Sequence, residues 1–134
     1  MSASSTEELQ VMVVDDISST RAIIKDMLVE IGFARIGEAN GGQEALEKVK
    51  REGARLIVCD HSMKDMSGLE LLKALRQDPQ LGAIPFIVVS AVGDAPVIKS
   101  ALAAGAADYI VKPINYQLLR RKVADVLRRA AAGE

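Results

Sequence analysis

Asp15, Asp16, Asp60, Ser90 and Lys112 have side chains able to do chemistry together, and each stands at or just past the end of a short apolar run. Those runs, residues 11–14, 56–59, 86–89 and 109–111, have the composition and length of buried strands. If the strands are parallel, the polar groups emerge at one sheet edge. Three crowded carboxylates repel one another unless a cation sits among them, and a hard, oxygen-ligating ion such as Mg2+ suits them. A lysine and a hydroxyl beside them can hold an anion that the carboxylates alone would exclude. The set reads as a place where a metal and a phosphoryl group meet on one aspartate.

Asp60 follows the most uniformly apolar run and is the candidate nucleophile. A carboxylate attacking phosphorus gives an acyl phosphate, a reaction that depends on positioning and charge neutralisation. Asp15 and Asp16 would hold Mg2+, partly through water, while Asp60 ligates with one oxygen and attacks with another. Lys112 would pair with a phosphoryl oxygen, and Ser90 would donate to another, a bond that exists only after the phosphoryl group arrives. Lys112-Pro113 can also carry a cis peptide. Each residue has a plainer reading: Asp15 and Asp16 as helix caps, Asp60 as a loop residue, Ser90 as a strand end, Lys112 as a solvated charge. Their joint placement favours the chemical one. His61 is the sole histidine and a weak signal for a general base, Met63 and Met66 read as packing under a loop, and Cys59 as a small buried hydrophobe.

The elements that must position these residues alternate. A helix follows the first strand, with Ile23, Ile24, Met27, Leu28 and Ile31 at helical spacing and Gly32 at its end. Residues 34–39 read as a second strand, and Gly41-Gly42 opens a helix running to about Gly53. Ser67 and Glu70 form a capping-box pattern ahead of Leu71, Leu72 and Leu75. The next helix starts near Pro96 and stops at Gly105; Asn115 caps the last, whose apolar face uses Leu118, Leu119, Val123, Val126 and Leu127. Five strand and helix pairs without hairpin signals predict an α/β fold, a doubly wound parallel sheet covered on both faces. Ligands of such sheets bind beyond the carboxyl ends of the strands, where all five polar residues lie.

At 134 residues the chain fits one domain, read as residues 9–131 after a flexible segment 1–8, with no separate output domain. A net charge of -1 and 49% hydrophobic residues argue against DNA binding and disorder. With no apolar run long enough for membrane insertion and no signal-peptide pattern, a cytoplasmic protein is expected.

Val13-Val14-Asp15-Asp16, Asp60 with Met63, Met66 and Gly68, Ser90-Ala91 and the stretch Gly105 to Pro113 together resemble the receiver domain of bacterial two-component response regulators, most closely the single-domain chemotaxis regulators. The resemblance covers nearly the whole chain. It implies a flavodoxin-like (βα)5 sheet with strand order 2-1-3-4-5, and phosphorylation of Asp60 by a histidine kinase or phosphotransfer protein. Mg2+ would be held by Asp15, Asp16, Asp60 and the backbone carbonyl of Ser62. Such a protein is not an enzyme in the ordinary sense; it assists its own phosphorylation and dephosphorylation. Tyr109 matches an aromatic residue that turns inward as Ser90 is drawn to the phosphoryl group, and Ala95, Lys99, Tyr109 and Lys122 fall on the face that partners read. Ser62 and Val92 match variable positions that adjust water access. The family usually has proline where Lys64 stands, and lysine there is expected to free the loop after Asp60. Outcomes compatible with this pattern are an output regulator, for which the resemblance implies a role in chemotaxis, and a phosphate sink for a shared kinase; from another class, a Mg-dependent aspartate-nucleophile phosphohydrolase would want an acid at Ser62.

Overall fold

The computed structural model describes residues 9–91 and 93–133. Five short strands, β1 (Val11–Val14), β2 (Ile36–Ala39), β3 (Ile57–Asp60), β4 (Phe86–Ser90) and β5 (Asp108–Val111), alternate with helices α1 (Ser18–Ile31), α2 (Gly42–Glu52), α3 (Gly68–Gln77), α4 (Ala95–Ala103) and α5 (Tyr116–Ala131). All strand pairs are parallel, in the order β2-β1-β3-β4-β5. The doubly wound sheet expected from the alternation is therefore present, with the expected order. The residues 1–8 read as a flexible segment lie outside the described residues, as does Val92.

Successive side chains of a strand point to opposite faces, and the central strands use both. Met12, Val14, Ile57, Cys59, Phe86 and Val88 share one core with Ala45 and Val49 of α2, Leu71, Leu72 and Leu75 of α3, and Ala101 of α4. Val11, Val13, Val58, Ile87, Val89 and Ile110 share the other with Ile24 and Leu28 of α1 and Leu119, Val123 and Val126 of α5. Burial on both sides explains why these runs are continuously apolar rather than alternating.

Several ends follow the sequence reading. Ser67 and Glu70 close a capping box on α3, and the Asn115 side chain accepts the Leu118 amide at the start of α5. Gly32 takes a φ of 127° after α1, a conformation costly for residues with a Cβ. Strand β2 begins later than expected, because the amides of Ala34 and Arg35 donate to the Gln10 side chain instead of joining the ladder. Helix α4 runs from Ala95 with proline in its first turn and ends just before Ala104, one residue short of Gly105.

Candidate functional site

The sheet reverses its winding between β1 and β3, and the loops beyond their carboxyl ends make the crevice. Asp15 follows β1, Asp60 ends β3 and Ser90 ends β4; all three are buried. One carboxylate oxygen from each of Asp15, Asp16 and Asp60 lies within 4.8 Å of the others. Lys112, just past β5, reaches back so that Nζ lies 2.8 Å from Oδ1 of Asp60. Its amide donates to the Ser90 carbonyl at 2.8 Å, and the Lys112-Pro113 peptide is cis. The structure thus gathers the five residues singled out by type and spacing.

The carboxylates are held by backbone and side-chain contacts from several loops. Oδ1 of Asp15 accepts the Ile17 amide at 2.8 Å, and the Asp15 carbonyl accepts from Nη1 of Arg21 at 2.6 Å. Arg21 in turn pairs with Glu38 on β2, which also binds Lys25. Oδ2 of Asp16 accepts the Lys64 amide at 2.9 Å. In the next residue, the Asp65 carboxylate accepts the amides of Gly42 and Gln43, pinning the β3–α3 loop to the start of α2. Gly41 and Gly42 are needed there for space: a Cβ on Gly41 would stand 2.7 Å from Oδ1 of Asp65, and one on Gly42 would stand 2.4 Å from the Met66 sulfur. Gly68 likewise lets α3 begin against the Asp60 carbonyl, 2.8 Å from where its Cβ would be. The β3–α3 loop, expected to be freed by Lys64, is tethered in its middle, through the Lys64 amide and the Asp65 carboxylate.

Burial pushes the Asp15 carboxyl above the ordinary aspartate range; the Ile17 amide works the other way, and the charge of Asp60 adds to the rise. Burial disfavours the Lys112 ammonium, but the hydrogen bond and charge of Asp60, with Asp15 and Asp16 behind, outweigh it and raise that group above an ordinary lysine. One ammonium among three carboxylates leaves a net negative site. Oδ2 of Asp15 and Oγ of Ser90 are buried without a hydrogen-bond partner. A buried polar atom left unsatisfied costs about 1–3 kcal/mol. The first orphan belongs to a residue of the carboxylate cluster and suits a hard divalent ion; the second, at the end of β4, is a donor without an acceptor. The donor set, oxygen only, therefore fits Mg2+.

Other expected residues are arranged as follows. Tyr109 is half-buried against the α2–α3–α4 core, with Nζ of Lys122 4.3 Å from its ring centroid. Lys122 also donates to the Tyr109 carbonyl and to Asp108, while Ala95 and Lys99 are exposed on α4. Ser62 is exposed and, with Asp16, His61 and Lys64, lines a shallow cavity beside the cluster. Sequence reasoning missed Arg21, Glu38 and Asp65.

Residues 11–124 match the family model described as the response regulator receiver domain. The chain belongs to that family. It is 35% identical over 121 residues to the chemotaxis protein CheY of Pseudomonas aeruginosa, a match covering 90% of this chain and 98% of that protein. A CheY homolog of Campylobacter jejuni is 38% identical over 120 residues, covering 89% and 92% of the two chains. Among solved structures, Vibrio cholerae CheY4 superposes with a TM-score of 0.81 at 28% identity, covering 89% of this chain and 98% of that one. A CheY-like receiver domain protein from Methanospirillum hungatei gives 0.85 at 26% identity, with 95% and 99% covered. The receiver fold is thus shared with chemotaxis proteins of the CheY type. Among the described residues no helix is long and apolar enough to cross a membrane.

Proposed function

We propose that this receiver accepts a phosphoryl group on Asp60 from a phosphohistidine of a kinase or phosphotransfer protein and signals through protein contacts that change on phosphorylation. The observation that carries the reading is the conjunction of a buried Asp60, paired with Lys112, and the orphaned Ser90 hydroxyl. A carboxylate oxygen of Asp60 attacks phosphorus, the P–N bond of the donor breaks, and its electron pair leaves with the imidazole. Asp15, Asp16, Asp60 and the Ser62 carbonyl would hold Mg2+, which when bound offsets the negative charge of the carboxylates and the incoming phosphoryl group. Lys112 shifts from Asp60 toward a phosphoryl oxygen, and the Ser90 hydroxyl gains the acceptor it lacks.

That gain biases a two-state equilibrium. As Ser90 moves toward the phosphoryl group, Tyr109 turns inward and its contact with Lys122 is remade, altering the face that carries Ala95, Lys99, Tyr109 and Lys122. A differential of about 1.4 kcal/mol shifts the population ratio tenfold. Ser62 offers no carboxylic acid for general acid/base work two residues after Asp60, which favours a phospho-acceptor over a phosphohydrolase of small esters.

The donor protein would approach over an apolar groove of about 480 Å³ beside Lys112, lined by Thr20, Ile23, Ile24, Pro113 and Ile114. Ile23, which lines it, is 54% exposed and continues this apolar surface outward. Treatment with a small phosphoryl donor in Mg2+ tests the core of the reading: the wild type gains one phosphoryl group and Asp60→Asn gains none. Equal incorporation in both rejects the site. A pull-down separates the two roles for the phosphorylated form, since a target held by it alone marks an output regulator and recovery of the kinase alone marks a phosphate sink.

A further inference from the structure

Asp16 is tied to the β3–α3 loop by a bond that only a residue with an N–H at position 64 can make. The Lys64 amide donates to Oδ2 of Asp16 at 2.9 Å, joining two loops whose residues are 48 positions apart. Proline, expected at this position from the family pattern, has no amide hydrogen. The bond is charge-assisted, and it fixes the carboxylate of an aspartate that lies within 4.8 Å of the Asp15 and Asp60 oxygens. The loop that supplies the amide is itself anchored, because Asp65 accepts the Gly42 and Gln43 amides at 3.1 and 2.9 Å. The donor therefore sits on a support that extends to the start of α2.

We infer that the backbone amide of Lys64 is the positioning group for Asp16, holding its carboxylate in the orientation that takes the divalent cation. The inference rests on the reading of the acidic cluster as a Mg2+ site. Three mutually repelling carboxylates relax apart when no ion is present; a donor on Asp16 opposes that relaxation and lowers the reorganisation needed when the ion arrives. Here the important part of Lys64 is its N–H. Its side chain is exposed, and an ammonium near the cation works weakly against binding.

The two contributions of residue 64 thus oppose each other, which two substitutions can separate. Lys64→Ala keeps the amide and removes the charge; Lys64→Pro removes both. Calorimetric titration of each protein with MgCl2 at fixed ionic strength is expected to show Lys64→Ala binding as tightly as wild type or up to about threefold tighter, and Lys64→Pro about tenfold weaker. Proline binding as well as alanine overturns the inference while leaving the cation site standing. A wild type that takes up no Mg2+ overturns the site and the inference together. Hydrogen exchange gives a check that does not involve proline: the Lys64 amide is expected to be protected in the metal-free wild type and to lose at least tenfold of that protection in Asp16→Ala. Unchanged protection shows that Asp16 is not the acceptor and sinks the proposal.

Discussion

Nζ of Lys112 lies 2.8 Å from Oδ1 of Asp60, although Asp60 ends β3 and Lys112 follows β5, with β4 between them. Strands are about 4.8 Å apart, so the lysine and aspartate side chains reach toward each other across β4 to close two spacings. The ammonium holds the buried carboxylate before reaction and is already placed for a phosphoryl oxygen afterwards. Lys112→Ala is expected to slow phosphorylation by a small donor in Mg2+ by about 10- to 100-fold, the worth of one charge-assisted hydrogen bond in a partly buried site. The measurement is the initial rate of incorporation, and a rate within twofold of wild type rejects the role.

Asp15 is fully buried with Oδ2 unpartnered beside two other carboxylates. An ionised group so placed opposes folding when no cation is bound. Asp15→Asn keeps the oxygen that accepts the Ile17 amide and puts an NH2 donor among the remaining acceptors. The metal-free variant is expected to be more stable than wild type by about 1 kcal/mol, seen as a higher denaturant midpoint, and to lose the further stabilisation that Mg2+ gives the wild type. A variant less stable than the metal-free wild type contradicts this account of the cluster.

The alternation of apolar runs made the sheet legible, because strands buried on both faces leave an unbroken hydrophobic signature. Ser67 with Glu70 and Asn115 were legible because caps act between residues three apart. The five polar residues could be placed together because every run ends at the same sheet edge. Arg21 on the Asp15 carbonyl, Lys64 on Asp16 and Asp65 on α2 were not legible: each joins a loop to another segment and is fixed by how elements pack rather than by local pattern. The glycine pair before α2 was visible as a helix start, but its reason, room for Asp65 and Met66, lies in a segment more than twenty residues away.

The Ser90 hydroxyl is buried and unpaired in this state. Removing an unsatisfied polar atom costs nothing and can stabilise. Ser90→Ala is expected to leave unphosphorylated stability unchanged within about 0.5 kcal/mol, while abolishing the phosphorylation-dependent change around Tyr109. The Tyr109 ring resonances, followed by NMR before and after phosphorylation, report the second effect. A full shift in the alanine variant disconnects the hydroxyl from the switch.

Ile23 is 54% exposed on the rim of the groove next to Lys112 and makes no part of either core. Ile23→Asp therefore tests the proposed approach of a donor protein without touching the phosphorylation pocket. Transfer from a phosphohistidine protein is expected to fall about tenfold, the effect of a charge placed in an apolar contact. Incorporation from a small donor should be unchanged. If both rates fall together, the substitution has disturbed the pocket and the groove is not a docking surface.

Asp65 gives the loop a pH dependence of known sign. The Gln43 amide does most to hold its carboxyl below the ordinary 3.8; desolvation opposes it, and the amides of Gly42 and Met66 add to the lowering. A group whose folded pKa is depressed contributes stability above its unfolded pKa and loses it as pH falls through the folded value. In Asp65→Asn an NH2 replaces the oxygen that accepts from Gln43, setting donor against donor. The variant is expected to be less stable than wild type at pH 7, with the gap narrowing as the medium is taken below about pH 4, where the wild-type carboxyl begins to protonate. Denaturant titrations of both proteins at pH 7 and pH 3 read the difference directly. A gap that widens in acid would mean that the carboxylate is not what fastens this loop to α2.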